Sequence, residues 1–143
     1  MGRIKLDLPE QFIFTTKMAI RITDINYGNH LGNDAVLGII HEARLRFLNH
    51  FGYSEKSIEG MGIIMTDSVI NYKNEGRYGD ILEVSMNVAD VSKRSFDMYY
   101  LMVKSDDHKE IARAKTGMMF YDYEQSKIGE TPSGFAQKFT HRK

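Results

Sequence analysis

Phe12, Phe14, Met18, Ile20 and Ile22 fall on alternate positions of a stretch rich in β-branched and aromatic residues, so residues 12–25 read as a first strand. The polar, glycine-bearing residues 26–33 read as a loop. The period then changes. Ala35, Ile39 and Ala43 recur at four-residue steps, joined by Val36, Ile40, Phe47 and Leu48, as an amphipathic helix requires. Asn33 or Asp34 is placed to cap this helix, and Gly52 follows its last apolar residues, where a left-handed cap belongs. From Asp34 to Phe51 it would run about 27 Å at ~1.5 Å per residue. Its apolar residues fill more than one stripe, so it is expected to be largely buried. Alternation returns in residues 62–73, 81–91, 96–103 and 111–123, with turns at Gly79-Asp80 and Asp106-Asp107. The predicted order is a strand, a long helix, then four strands in a meander. One helix cannot hide both faces of such a sheet, but it can fill the concave face of a strongly curved one.

The length, 143 residues, suits one domain spanning residues 1–143, whose polar, glycine- and proline-bearing segment 124–143 is expected to be a flexible tail. With 42% hydrophobic and 27% charged residues the chain has the composition of a globular protein. Lys+Arg and Asp+Glu both total 19, so net charge offers no pull toward nucleic acid or a membrane surface. Any anionic ligand must therefore be met by a local patch. The absence of cysteine removes disulfides, thiolate metal sites and a cysteine nucleophile together. No segment resembles a signal peptide or a membrane span, so the expected location is the cytoplasm.

The segment Asp24-Ile25-Asn26-Tyr27-Gly28-Asn29-His30-Leu31-Gly32-Asn33, followed by His41-Glu42-Ala43-Arg44, resembles the opening of hotdog-fold acyl-CoA thioesterases of the 4-hydroxybenzoyl-CoA thioesterase group. Those open with D-x-D-x-x-G-H-V-N-N and follow it with a helix ending in E-x-A-R or E-A-R. Tyr72, Tyr78, Gly79-Asp80 and Leu82 are similar to the family's passage into its third strand. The resemblance covers roughly residues 12–123. It implies an α+β hotdog fold, a long central helix wrapped by a curved five-stranded antiparallel sheet. The chain departs from the pattern twice. Asn26 stands where the family has its usual catalytic carboxylate, and Asn29 where it has a glycine. An amide cannot accept a proton as a base or attack a thioester.

Thioester hydrolysis needs a polarised carbonyl, an activated water or nucleophile, and a grip on the coenzyme arm. The resemblance points to the helix start, residues 33–37, as the source of free N–H groups and positive dipole for the carbonyl oxygen. Four side chains are candidates for the rest. Asn26 could orient water or donate to the carbonyl, or simply close a turn. His30 could donate to the thioester or hold the loop. Asp34 could be the missing carboxylate or a helix cap. Glu42, if buried, suits a general base as helix carboxylates do in a related branch of the family, or forms a buried ion pair with Arg44, Arg46 or a strand residue. Asp34 and Glu42 lie about 80° apart around the helix at ~100° per residue. His41 lies on nearly the same face as Asp34 and could reach a partner's site.

Lys73, Arg77, Lys93, Arg94, Arg113 and Lys115 are scattered cations, some of which could meet nucleotide phosphates. Six methionines in the strand region suit an acyl tunnel or ordinary core packing. The expected activity is hydrolysis of an acyl-CoA or acyl-carrier-protein thioester to free acid and thiol. Alternatives are a non-hydrolytic acyl-CoA-binding protein and a dehydratase of hydroxyacyl thioesters on the same fold. No cofactor or metal is expected, coenzyme A entering only with the substrate. The implied assembly is a homodimer or dimer of dimers with sheets joined edge to edge, and neither nucleic acid nor membrane is an expected partner.

Overall fold

A computed structural model describes residues 2–140. Strand β1 (Phe14–Ala19) leads through a 3-10 turn (Ile22–Asp24) and a loop into α1 (Asn33–His50). Strands β2 (Gly62–Tyr72), β3 (Ile81–Ala89), β4 (Ser95–Lys104) and β5 (Glu110–Asp122) follow, then a short β6 (Lys127–Ile128) and α2 (Ser133–Thr140). The architecture is the expected α+β one, a helix against a curved antiparallel sheet. The first strand is shorter than its sequence pattern, because residues 22–24 turn away to close the loop that follows.

The sheet order is β1-β3-β4-β5-β2, with β6 pairing β5. The meander therefore covers only β3, β4 and β5. β2 lies at the far edge, on β5, and the four-strand meander is corrected in that respect. The β2–β3 connection must cross the end of the sheet, and on the way it meets the loop before α1. There Leu31 N–H donates to the Gly76 carbonyl (2.8 Å) and Gly79 N–H to that of Ile20 (3.1 Å). A Cβ at position 76 would stand 2.7 Å from Ile20 Cδ1 and 3.3 Å from Leu31 Cβ, so a side chain there would have to push the buried Ile20 aside.

The concave face carries Leu82, Val84 and Met86 of β3, Met98 and Tyr100 of β4, and Phe120 of β5, all essentially inaccessible. Helix α1 lays Val36, Ile39, Ile40, Ala43, Phe47 and Leu48 on them. Its other face, including Leu37, His41, Glu42 and Leu45, is exposed, so the helix is half buried and not largely so. It ends as anticipated, with Gly52 at φ +81°.

The tail packs against the core instead of hanging free. Phe135 and Phe139 of α2 are buried, with rings 4.7 Å apart, and Phe135 lies 4.7 Å from Phe96 and 5.3 Å from Phe120. Two aromatic residues four apart form the apolar stripe of a short helix, which the polar average of the segment hides. Residues 141–143 of the expected tail lie outside the described residues. At the other terminus the chain crosses the convex face. Asn71, itself buried, accepts from Leu6 N–H (3.1 Å) and donates to the Ile4 carbonyl (3.0 Å), while Asn87 donates to the Gln11 carbonyl (2.8 Å). Among the described residues no helix is long and apolar enough to cross a membrane.

Candidate functional site

The loop before α1 is a closed unit. Asn26 N–H donates to the His30 carbonyl (2.9 Å), and Gly32 N–H donates to that of Asp24 (2.9 Å). The Asp24 side chain is buried and accepts from the Arg21 backbone N–H (2.9 Å) and guanidinium (3.2 Å), so its work is to hold the turn. Asn29 sits at φ +67°, a left-handed conformation that asparagine tolerates better than most residues. The departure from the family's glycine here is conformationally conservative.

Asn26 shows the turn chemistry weighed for it. Its Oδ1 accepts from Gly28 N–H (2.9 Å) and His30 N–H (3.2 Å). Two backbone donors fix which end of the amide is oxygen, so the NH2 group is what remains for a ligand. Position 26 thus presents a donor where a carboxylate would present an acceptor.

Helix α1 starts without a side-chain cap: the N-cap is Gly32, in extended conformation (φ −71°, ψ 144°), not Asn33 or Asp34. The Gly32 carbonyl takes the N–H groups of Ala35 (3.0 Å) and Val36 (3.2 Å). The N–H groups of Asn33 and Asp34 have no acceptor among the described residues. The donor set expected over residues 33–37 narrows to these two. Asp34 folds back instead of capping. A Cβ at position 32 would lie 2.5 Å from Asp34 Oδ1 and 3.6 Å from Asn26 Cβ, so the carboxylate occupies space that only a glycine leaves open.

Asn26, His30 and Asp34 line one open cleft of about 720 Å³. Its far wall comes from the end of β2 and the β2–β3 connection, through Tyr72, Lys73, Asn74 and Glu75, and Val36 and Ile111 are among its apolar lining. Tyr72 OH donates to the Asn33 carbonyl (3.3 Å) and ties this wall to the helix start. His30 Nε2 lies 3.0 Å from Glu75 Oε2, which also meets Arg77 at 3.6 Å. The imidazole is therefore a clasp between the loop and the crossing connection. Glu75 was not visible in the sequence as a partner, since 45 residues separate it from His30 and only the crossing brings them together.

Glu42 lies elsewhere. It is half exposed, pairs with Arg46 at 3.0 Å (i, i+4), and lines a separate groove of about 430 Å³ beside β1 with Lys17 and Arg21. The burial considered for it is not found; it does pair with Arg46, but on the surface and not in the interior. Arg44, the last residue of the His41–Arg44 motif, is the buried one. Its Nε donates to Glu55 Oε2 (2.8 Å) and its Nη1 to Tyr100 OH (3.3 Å), and that hydroxyl meets Thr116 Oγ1 at 2.8 Å. His41 Nε2 reaches the other Glu55 oxygen at 3.0 Å. Burial pushes the Glu55 carboxyl up, but the hydrogen bonds from Arg44 and His41 outweigh it and hold the group below its ordinary value. Burial likewise drives the Tyr100 hydroxyl up, so it is a neutral link in this chain.

Of the six scattered cations, Lys73 lines the cleft and Arg77 flanks it through Glu75. Arg113 is committed to Glu110 (2.7 Å) and the Leu6 carbonyl, and Lys115 to Asp67 (3.1 Å) on the convex side. Among the described residues no group of three or more acidic or histidine side chains is arranged to hold a metal.

Residues 20–139 match the family described as the thioesterase-like superfamily. A protein of Aquifex aeolicus (strain VF5), provisionally named an esterase, is 28% identical over 123 residues, covering 85% of this chain and 91% of its own. A 1,4-dihydroxy-2-naphthoyl-CoA thioesterase from Synechocystis has the same fold, with a TM-score of 0.80 at 18% identity over 90% of this chain and 96% of that one. So does a Staphylococcus aureus protein solved in complex with CoA, with a TM-score of 0.80 at 19% identity over 96% of this chain and 87% of that one.

Proposed function

Because this chain belongs to the thioesterase-like superfamily, we propose that it hydrolyses acyl-CoA or acyl-carrier-protein thioesters to free acid and thiol, with Asp34 as its catalytic carboxylate. The observation that carries the reading is the Asp34 side chain, drawn back over Gly32 beside Asn26 at a helix start with two free N–H groups. The thioester oxygen is placed against the N–H groups of Asn33 and Asp34, where the helix dipole favours developing negative charge. The Asn26 NH2 group is a further donor at the same end of the cleft. Asp34 takes a proton from water as the water oxygen bonds to the acyl carbon; the C–S bond then breaks and the thiolate leaves, gaining a proton. His30, held by Glu75, keeps the loop in register. Lys73 is the cation best placed for a coenzyme phosphate.

The working unit is a homodimer or dimer of dimers. Among the described residues β2 pairs only with β5, and it exposes Met65, Thr66, Asp67 and Ser68, the kind of edge that a second copy covers. Light scattering on the purified protein tests this, a monomer at micromolar concentration counting against it. The activity is tested by thiol release from a panel of acyl-CoAs. Turnover that collapses in Asp34→Asn supports the proposal. Measurable acyl-CoA binding without turnover on any member would replace hydrolysis with the binding-only alternative.

A further inference from the structure

The methionine-bearing strands leave open whether an acyl chain could run between α1 and the sheet. That space is filled. Met86, Met98, Met102 and Met118 are buried members of the core, each 2% exposed or less. Beyond the cleft floor at Val36 and Ile111, two barriers cross the interior. The first is polar. Arg44 of α1, Tyr100 of β4 and Thr116 of β5 span from helix to sheet, and the guanidinium is anchored on its outer side by Glu55. Arg44 follows Val36 by eight residues, about 12 Å along the helix. An alkyl chain reaching it would have to displace a buried guanidinium from its acceptors, leaving a charge unpaired in a low-dielectric interior. The second barrier is aromatic: Phe135 and Phe139 of α2 pack with Phe47, Phe96 and Phe120 at the far end, with centroids 4.7–5.9 Å apart.

We infer that the Arg44–Tyr100–Thr116 crossbar closes the helix–sheet interior to long chains, so that the acyl group taken by this cleft is short. The inference rests on the cleft being the thioester site proposed above. It is tested with the full-length protein and acetyl-, 3-hydroxybutyryl-, octanoyl- and palmitoyl-CoA, alongside their non-hydrolysable thioether analogues. The expected result is a kcat/KM for 3-hydroxybutyryl-CoA at least tenfold above that for octanoyl-CoA, and analogue affinities that do not tighten with chain length. Affinity rising toward fourfold per added methylene, the mark of a buried chain, would overturn it. So would palmitoyl-CoA as the preferred substrate. If no thiol is released from any substrate while the analogues bind in the expected order, hydrolysis fails and the selectivity stands.

Discussion

The two halves of α1 are built on opposite rules. Among the described residues its first turn leaves two N–H groups without acceptors, has no side-chain cap, and holds a carboxylate in the space above a glycine. Its second half pairs its buried polar group, Arg44, with Glu55 and Tyr100, and packs Phe47 and Leu48 at zero exposure. A capped start would add roughly 1 kcal/mol of stability, and this chain forgoes it. The helix is stabilised at one end and left open to a ligand at the other. Its two carboxylates divide the same way: Asp34 faces the cleft, and Glu42 pairs with Arg46 on the surface.

The strongest way to break this contrast is Asp34→Asn. It is expected to lower kcat for thioester hydrolysis at least a hundredfold while the melting temperature stays within a few degrees; an unaffected rate would move the catalytic group elsewhere. Gly32→Ala is gentler and more pointed. The extended backbone there accepts alanine, but the new Cβ would stand 2.5 Å from Asp34 Oδ1 and force the carboxylate aside. About a tenfold loss of kcat/KM, with stability changed by less than ~1 kcal/mol, is the expected result in activity and denaturation assays.

At the packed end the signs reverse. Tyr100→Phe removes one Arg44 acceptor and the Thr116 partner, and should cost about 1–3 kcal/mol in urea unfolding. The rate per folded molecule on the shortest acyl-CoA should be little changed. Glu55 sharpens the comparison through pH. Its folded-state pKa is depressed, so its contribution to stability is present above the unfolded carboxylate value, near 4.5, and is lost as pH falls through the folded value. Glu55→Gln should therefore flatten the acid side of the stability profile below about pH 5. An unchanged slope there would mean that the Arg44 and His41 contacts do not hold in solution. The smallest effect belongs to Glu42→Gln, which removes an exposed i, i+4 pair worth about 0.3–0.5 kcal/mol and should leave the rate within about twofold.

Much of the molecule could be read from residue order alone. Period-two alternation placed β2, β3, β4 and β5 to within a residue or two, and the 3.6-residue period placed α1 to within one. Spacing also identified the loop that carries Asn26 and His30 and the helix start that carries Asp34, because turn and helix-start chemistry acts over a few residues. What alternation does not encode is which strand edges meet. Placing β2 beside β5 instead of β3 was a matter of tertiary structure, and that choice sends residues 73–80 across the sheet end to give His30 its Glu75 and the cleft its far wall. Direction along a helix face was equally out of reach. Asp34 folds back over Gly32, which has no side chain to block it, and Glu42 is drawn to Arg46 one turn on. Local spacing thus determined the elements and the loop, while contacts between residues far apart in the chain decided which side chains share a site.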